Sequence, residues 1–124
     1  SVGMHIQHVS LAMVAVCQSL VASKPPAPRS GLNLVRSIVF TSGRIPRGRA
    51  KSPDPAVPSE GVTEEELRSL LAESERQLQT ARAAPPDRWF RHFAFGVMER
   101  DRTLRFLEIH NRHHLRIVQD ILGA

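Results

Sequence analysis

Apolar residues recur at helical spacing in three long stretches of the chain. Residues 4–22 are apolar around the whole circumference of a helix, which predicts a largely buried helix. The second stretch begins at Thr63, which is followed by three glutamates in the pattern of a capping box, and ends before Pro85. The third runs from residue 98 or 101 to residue 122, with Gly123 placed as a C-cap. The pattern therefore predicts three long helices.

The segments between these helices are of two kinds. Residues 24–60 form a long, basic, Pro-rich crossover, interrupted by the apolar residues 32–40, which predict one or two helical turns. Residues 87–97 form a short link rich in aromatic side chains, in which Gly96 allows a tight turn. No strand pattern is apparent. We therefore predict the all-α class, with residues 1–124 forming a single helical bundle domain.

Charge is unevenly distributed along the chain. Residues 1–53 contain seven basic residues and no acid, whereas residues 54–124 contain all twelve acids and ten bases. Arg44, Arg47, Arg49 and Lys51 are candidates for a phosphate-binding arm. They lack interleaved aromatic residues and a groove-reading helix, so we favour a solvated crossover and keep nucleic-acid binding as the weaker alternative.

The single cysteine and the hydropathy of the chain indicate the cellular compartment. A single cysteine, Cys17, excludes an internal disulfide and favours a reducing compartment. Its apolar surroundings predict a buried, inert thiol rather than a nucleophile. No apolar run reaches the roughly 18 residues that a membrane span requires, and the apolar residues 9–17 lack the preceding Lys or Arg of a signal peptide. We predict a cytoplasmic protein with no membrane partner.

Candidate chemistry is concentrated in histidines of the last helix. His110 and His114 are four residues apart, so they share one helix face. The rest of that stripe is apolar and consists of Leu107, Ile117 and Ile121. Two inward imidazoles one turn apart can bind one zinc-like ion through neutral ring nitrogens, although a histidine-rich helix surface would have the same spacing. His8, on the first helix, can face the same core, either as a ligand or as a packed core residue.

A family resemblance combines these features. The segment from His92 to Gly96, followed by a helix with the pattern His110-x-x-His113-His114, resembles the DinB-like (DinB/YfiT) superfamily, and in particular a subgroup of small bacterial proteins. The pattern Ser1-x-Gly3-x-x-x-x-His8 resembles the start of that superfamily's second helix. Phe93 occupies the usual proline position of the link, and Gln119 lies one residue later than the glutamine of the pattern.

The resemblance implies a four-helix bundle with a long crossover between its second and third helices. It also implies a mononuclear metal site formed by His8, His110 and His114. The superfamily's first helix is expected to be missing from this chain, which leaves three long helices and an uncovered apolar groove. Such a groove predicts a homodimer.

The resemblance further implies a function. Three histidine ligands leave a coordination position open, as in catalytic sites, and suit zinc, nickel or iron. Relatives use small thiols such as bacillithiol or mycothiol, so we expect a metal-dependent, thiol-dependent transferase or hydrolase acting on a small molecule. Arg44, Arg47 and Arg49 are candidates to bind carboxylates of the thiol. From its place in the aromatic link, His92 is expected to hydrogen-bond backbone groups, and metal ligation is its weaker alternative. His113, about 100° from His114 around the helix, is expected either to support the ligands from behind or to lie on the substrate side. The alternative is a metal-binding or structural bundle without turnover.

Overall fold

The computed structural model describes residues 2–29, 31, 33–45 and 61–123. Within these residues, four helices and one two-stranded hairpin form the regular structure. In chain order they are α1 (Val2–Ala22), α2 (Leu34–Ser42), α3 (Glu64–Ala83), β1 (Trp89–His92), β2 (Gly96–Glu99) and α4 (Arg100–Gly123). This mostly helical architecture agrees with the predicted class, and the three long helices lie where the pattern placed them.

Capping hydrogen bonds set the start of α3 and both ends of α2. The Thr63 hydroxyl accepts from the Glu66 N–H at 3.1 Å, and a Glu66 carboxylate oxygen accepts from the Thr63 N–H at 3.4 Å. This confirms the predicted capping box. In α2, Asn33 caps the first turn, and Gly43 ends the helix with a φ of 69°, a left-handed conformation that favours glycine. The apolar piece within the crossover is thus a nine-residue helix.

The core is formed where α1 packs against α3 and, with fewer contacts, against α4. Leu20 is fully buried and Cys17 is 1 % exposed, so the thiol is buried as predicted. The carbonyls of Val21 and Ser23, at the end of α1, accept hydrogen bonds from the Arg88 guanidinium at 3.1 and 2.8 Å. A cation at this position also complements the negative end of the helix dipole.

The aromatic link is a β-hairpin, so the prediction that no strand is present was wrong. Strands β1 and β2 pair antiparallel, with Trp89 opposite Glu99 and His92 opposite Gly96. Four residues per strand place only two side chains on each face, which is too few to produce a visible alternation. Gly96 has a φ of 73°, as its predicted role in the turn requires.

Helix α4 follows the hairpin directly, begins within the predicted range and ends one residue later than predicted. It begins at Arg100 and includes Gly123, which therefore belongs to the helix and is not a C-cap beyond it. The predicted inward stripe is buried at Leu107 and only half-buried at Ile117, and Ile121 is 42 % exposed. The stripe thus becomes more exposed over the last turns of α4.

Helix α1 is also long and apolar enough to cross a membrane by length and composition alone. An 18-residue window within it has a mean hydropathy of 1.3, and 44 % of that window is buried in the protein. The core helix of a soluble protein can have the same length and composition, so these two properties do not show whether α1 lies in a membrane. The cytoplasmic location stays a prediction.

Candidate metal centre

The structure brings the three histidines predicted as metal ligands together between α1 and α4. His8 is on α1, whereas His110 and His114 are one turn apart on α4. Each offers one ring nitrogen to a group in which all three nitrogens lie within 4.8 Å of one another. His8 is buried, with 8 % exposure, and the other two rings are partly buried.

The three imidazole rings meet at an angle rather than stacking. The ring centroids of His8 and His114 are 4.5 Å apart, and those of His110 and His114 are 4.7 Å apart. The His8 and His110 rings are 5.2 Å apart and inclined by 60°.

One pair of these nitrogens has a separation that suits a tetrahedral ion. His8 Nε2 and His110 Nε2 are 3.3 Å apart. Two nitrogens at about 2.05 Å from a tetrahedral zinc-like ion would be about 3.3–3.4 Å apart. The same distance also allows a long N–H···N hydrogen bond between the two rings when no ion is bound. The donor set and this spacing therefore fit a divalent transition-metal ion.

Burial keeps the α4 histidines neutral. It lowers the pKa of His110 to about 3, and the nearby His8, His113 and His92 lower it further, while Asn111 acts weakly in the opposite direction. Burial, followed by the neighbouring histidines beginning with His110, likewise lowers the pKa of His114 to about 3. Both rings are consequently neutral at pH 7 and carry a free lone pair, which metal ligation requires.

Two buried polar atoms beside the cluster lack a hydrogen-bond partner among the described residues. They are His110 Nδ1 and Asn111 Oδ1, on neighbouring residues of α4. The Asn111 amide donates instead to Met13 Sδ, at 3.3 Å. When Nε2 of a histidine binds an ion, Nδ1 carries the proton and needs an acceptor, and an adjacent unpaired amide oxygen is a suitable one.

A further histidine, His5, contacts the cluster and was not assigned a role from the sequence. Its Nδ1 is 3.0 Å from Nδ1 of His114. The sequence does indicate such a contact, because His5 lies three residues before His8 and both side chains therefore share one face of α1. His113 packs edge-on against His114, with ring centroids 5.2 Å apart.

His92 has the structural role that the sequence predicted. Its Nδ1 accepts hydrogen bonds from the N–H groups of Ala94 and Phe95, both at 3.0 Å. The ring stacks on Phe93 and Phe95 at centroid distances of 4.5 and 4.4 Å. Burial lowers its pKa to about 4, so the ring accepts as the neutral imidazole. His92 thus closes the hairpin turn and belongs to none of the candidate ligand positions.

The structure describes only part of the basic crossover. The Arg36 guanidinium donates to the carbonyls of Phe95 and Val97 and thereby fastens α2 to the hairpin. Arg44 is exposed. Arg47, Arg49 and Lys51 lie outside the described residues, so binding of phosphates or carboxylates by this segment stays a prediction.

Two cavities in the described part of the chain lie away from the histidine cluster. One, of about 480 Å³, is lined by residues that include Arg36, Glu99 and Arg102. Another, of about 550 Å³, lies beside Val21, Gln79 and Arg88. Neither of these two cavities is lined by a histidine of the cluster.

Comparison of the chain with family models, with curated proteins and with solved structures gave no match. The class that the structure defines is therefore a mostly helical protein with a histidine cluster between its first and last helices. Membership of the DinB-like superfamily stays a resemblance based on the residues quoted above.

Proposed function

We propose that this protein binds one divalent transition-metal ion through His8, His110 and His114. The observation that carries the proposal is the convergence of three ring nitrogens, two of them 3.3 Å apart, from helices at opposite ends of the chain. The neutrality of His110 and His114 at pH 7 supports it, since neither has to lose a proton to bind the ion.

The choice of metal follows from the donor set. Three imidazoles without a carboxylate or thiolate suit zinc, nickel or iron, and disfavour magnesium or calcium, which prefer oxygen ligands. Three protein ligands also leave at least one coordination position for a small molecule.

We further propose that the site is catalytic and that the fold is of the DinB-like type. When bound, an ion with an open coordination position would lower the pKa of a water or thiol ligand and so provide a nucleophile at neutral pH. The resemblance points to a low-molecular-weight thiol as co-substrate and to a transferase or hydrolase reaction. In this scheme His8, His110 and His114 hold the ion, and His113 lies beside them as a group able to contact a substrate.

One observation favours the second candidate, a metal-binding or structural bundle without turnover. The described cavities lie away from the histidines, and His8 is only 8 % exposed. Neither of these two cavities therefore places a substrate beside the ion. Turnover assays of the metal-loaded protein with small thiols and electrophilic acceptors separate the two candidates, because only the catalytic one predicts a thiol-dependent rate.

Metal binding itself is tested by titration with zinc and by elemental analysis. Wild-type protein is expected to retain about one equivalent of metal per chain after dialysis, and His110→Ala is expected to lose it. His113→Ala is the matched control, since it removes a histidine that touches the cluster but is not one of the three proposed ligands. Equal metal content in His110→Ala and wild type would reject the ligand assignment.

A further inference from the structure

A fourth histidine, His5, contacts His114, which is one of the three proposed ligands. His5 Nδ1 lies 3.0 Å from His114 Nδ1, with the ring centroids 5.3 Å apart and the rings inclined by 51°. Unlike the 3.3 Å pair, this distance is typical of a direct N–H···N hydrogen bond. His5 and His8 are one turn apart on α1, so a single helix face contributes both a proposed ligand and this contact.

His5 does not belong to the group of candidate ligands. The nitrogens that lie within 4.8 Å of one another come from His8, His110 and His114 only. The contact with His5 also occupies Nδ1 of His114, which leaves Nε2 as the nitrogen of that ring available to an ion. His5 can therefore act on the ion only through His114.

The direction of the hydrogen bond determines whether His114 can bind. A neutral imidazole carries one proton, on either Nδ1 or Nε2. If His114 donates from Nδ1, its Nε2 has a free lone pair. If His5 donates instead, the proton of His114 is on Nε2, and that nitrogen cannot ligate an ion.

We propose that His5 is a positioning residue whose Nδ1 accepts a hydrogen bond from Nδ1–H of His114 and thereby presents Nε2 of His114 to the ion. The inference rests on the metal site proposed above and adds to it the residue that fixes one ligand's tautomer and ring orientation. In metal sites this place is commonly taken by a carboxylate or a backbone carbonyl, and its loss weakens metal binding by about 10- to 100-fold.

The first test measures zinc affinity by competition with a chromophoric chelator. His5→Ala is expected to bind zinc about 10- to 100-fold more weakly than wild type. His5→Gln, whose amide oxygen can accept the same hydrogen bond, is expected to recover most of the affinity. His113→Ala is the control for loss of a neighbouring ring and is expected to bind like wild type. Circular dichroism checks that each variant keeps its helices.

The second test measures the tautomer of His114 and the number of histidine ligands directly. In zinc-loaded wild-type protein, the ¹⁵N chemical shifts of His114 are expected to show a protonated Nδ1 and a ligated Nε2. X-ray absorption is expected to find three histidines around zinc in both wild type and His5→Ala. A protonated Nε2 of His114, or loss of one histidine ligand in His5→Ala, would overturn the assigned role.

The two proposals fail in different ways. If wild type binds zinc and His5→Ala binds it equally tightly, the positioning role is rejected and the metal site stands. If wild type binds no zinc at all, both the site and the role of His5 are rejected.

Discussion

Replacing His92 by phenylalanine should destabilise the fold and remove part of its pH dependence. The substitution keeps an aromatic ring against Phe93 and Phe95 but deletes the acceptor for two backbone N–H groups. Phe95 is only 4 % exposed, so little water can replace the lost partner of its N–H, whereas Ala94 is half-buried. One fully unsatisfied group and one partly hydrated group correspond to a loss of about 2–3 kcal/mol in the free energy of unfolding.

The sign of the pH effect follows from the lowered pKa. Burial lowers the pKa of His92 from 6.5 to about 4, so the unfolded chain takes up a proton at a higher pH than the folded one. Its contribution to stability is therefore present above about pH 6.5 and is lost as the pH falls toward 4. Between pH 7 and pH 5 the full pKa shift would correspond to a loss of about 2 kcal/mol in the free energy of unfolding. Because the ring is partly exposed, we expect a loss of about 1 kcal/mol.

Urea unfolding followed by circular dichroism at pH 7 and pH 5 measures both effects. His110 and His114 also titrate on unfolding in both proteins, so their contribution is largely subtracted in the comparison, and His92 is only a minor cause of the lowered pKa of His110. Phe93→Ala is the control, because it removes a stacking partner that is 66 % exposed and leaves both hydrogen bonds intact. Equal loss of stability between pH 7 and pH 5 in wild type and His92→Phe would refute this assignment of the pH dependence.

Three further outcomes are expected. Thr63→Ala should lower the free energy of unfolding by about 1 kcal/mol through loss of the cap, whereas Ser69→Ala, at an exposed position inside the same helix, should not lower it. Cys17, whose pKa burial raises to about 11, should react with a thiol reagent only after denaturation, and rapid labelling of native protein would contradict its burial. Sedimentation should find a homodimer. If the exposed apolar face of α2 forms the contact, Ile38→Lys should yield monomers. An unchanged dimer would place the contact elsewhere.

The parts of the fold that depend on near neighbours in sequence were predictable. The cap formed by Thr63 and Glu66 needs only two residues three positions apart, so its pattern is visible in the chain. The hairpin was missed because its stability depends on distant groups. Asn33 and Arg36 donate to carbonyls of Ala94, Phe95 and Val97, across about sixty residues of sequence.

The candidate site also has a part that was predictable from the sequence and a part that was not. His110 and His114 were recognisable because helical periodicity places them on one face. Periodicity does not determine which turn of α1 meets which turn of α4, so the assignment of His8 required a family resemblance. The contact between His5 and His114 joins residues 109 positions apart, and only the packing of the two helices brings them together.

An anomalous-scattering map of crystals grown with zinc tests the central claim most directly. We expect one peak per chain, about 2.0–2.1 Å from one ring nitrogen each of His8, His110 and His114. A map without a peak between these rings, or with zinc held only by surface histidines, would contradict the proposed metal site.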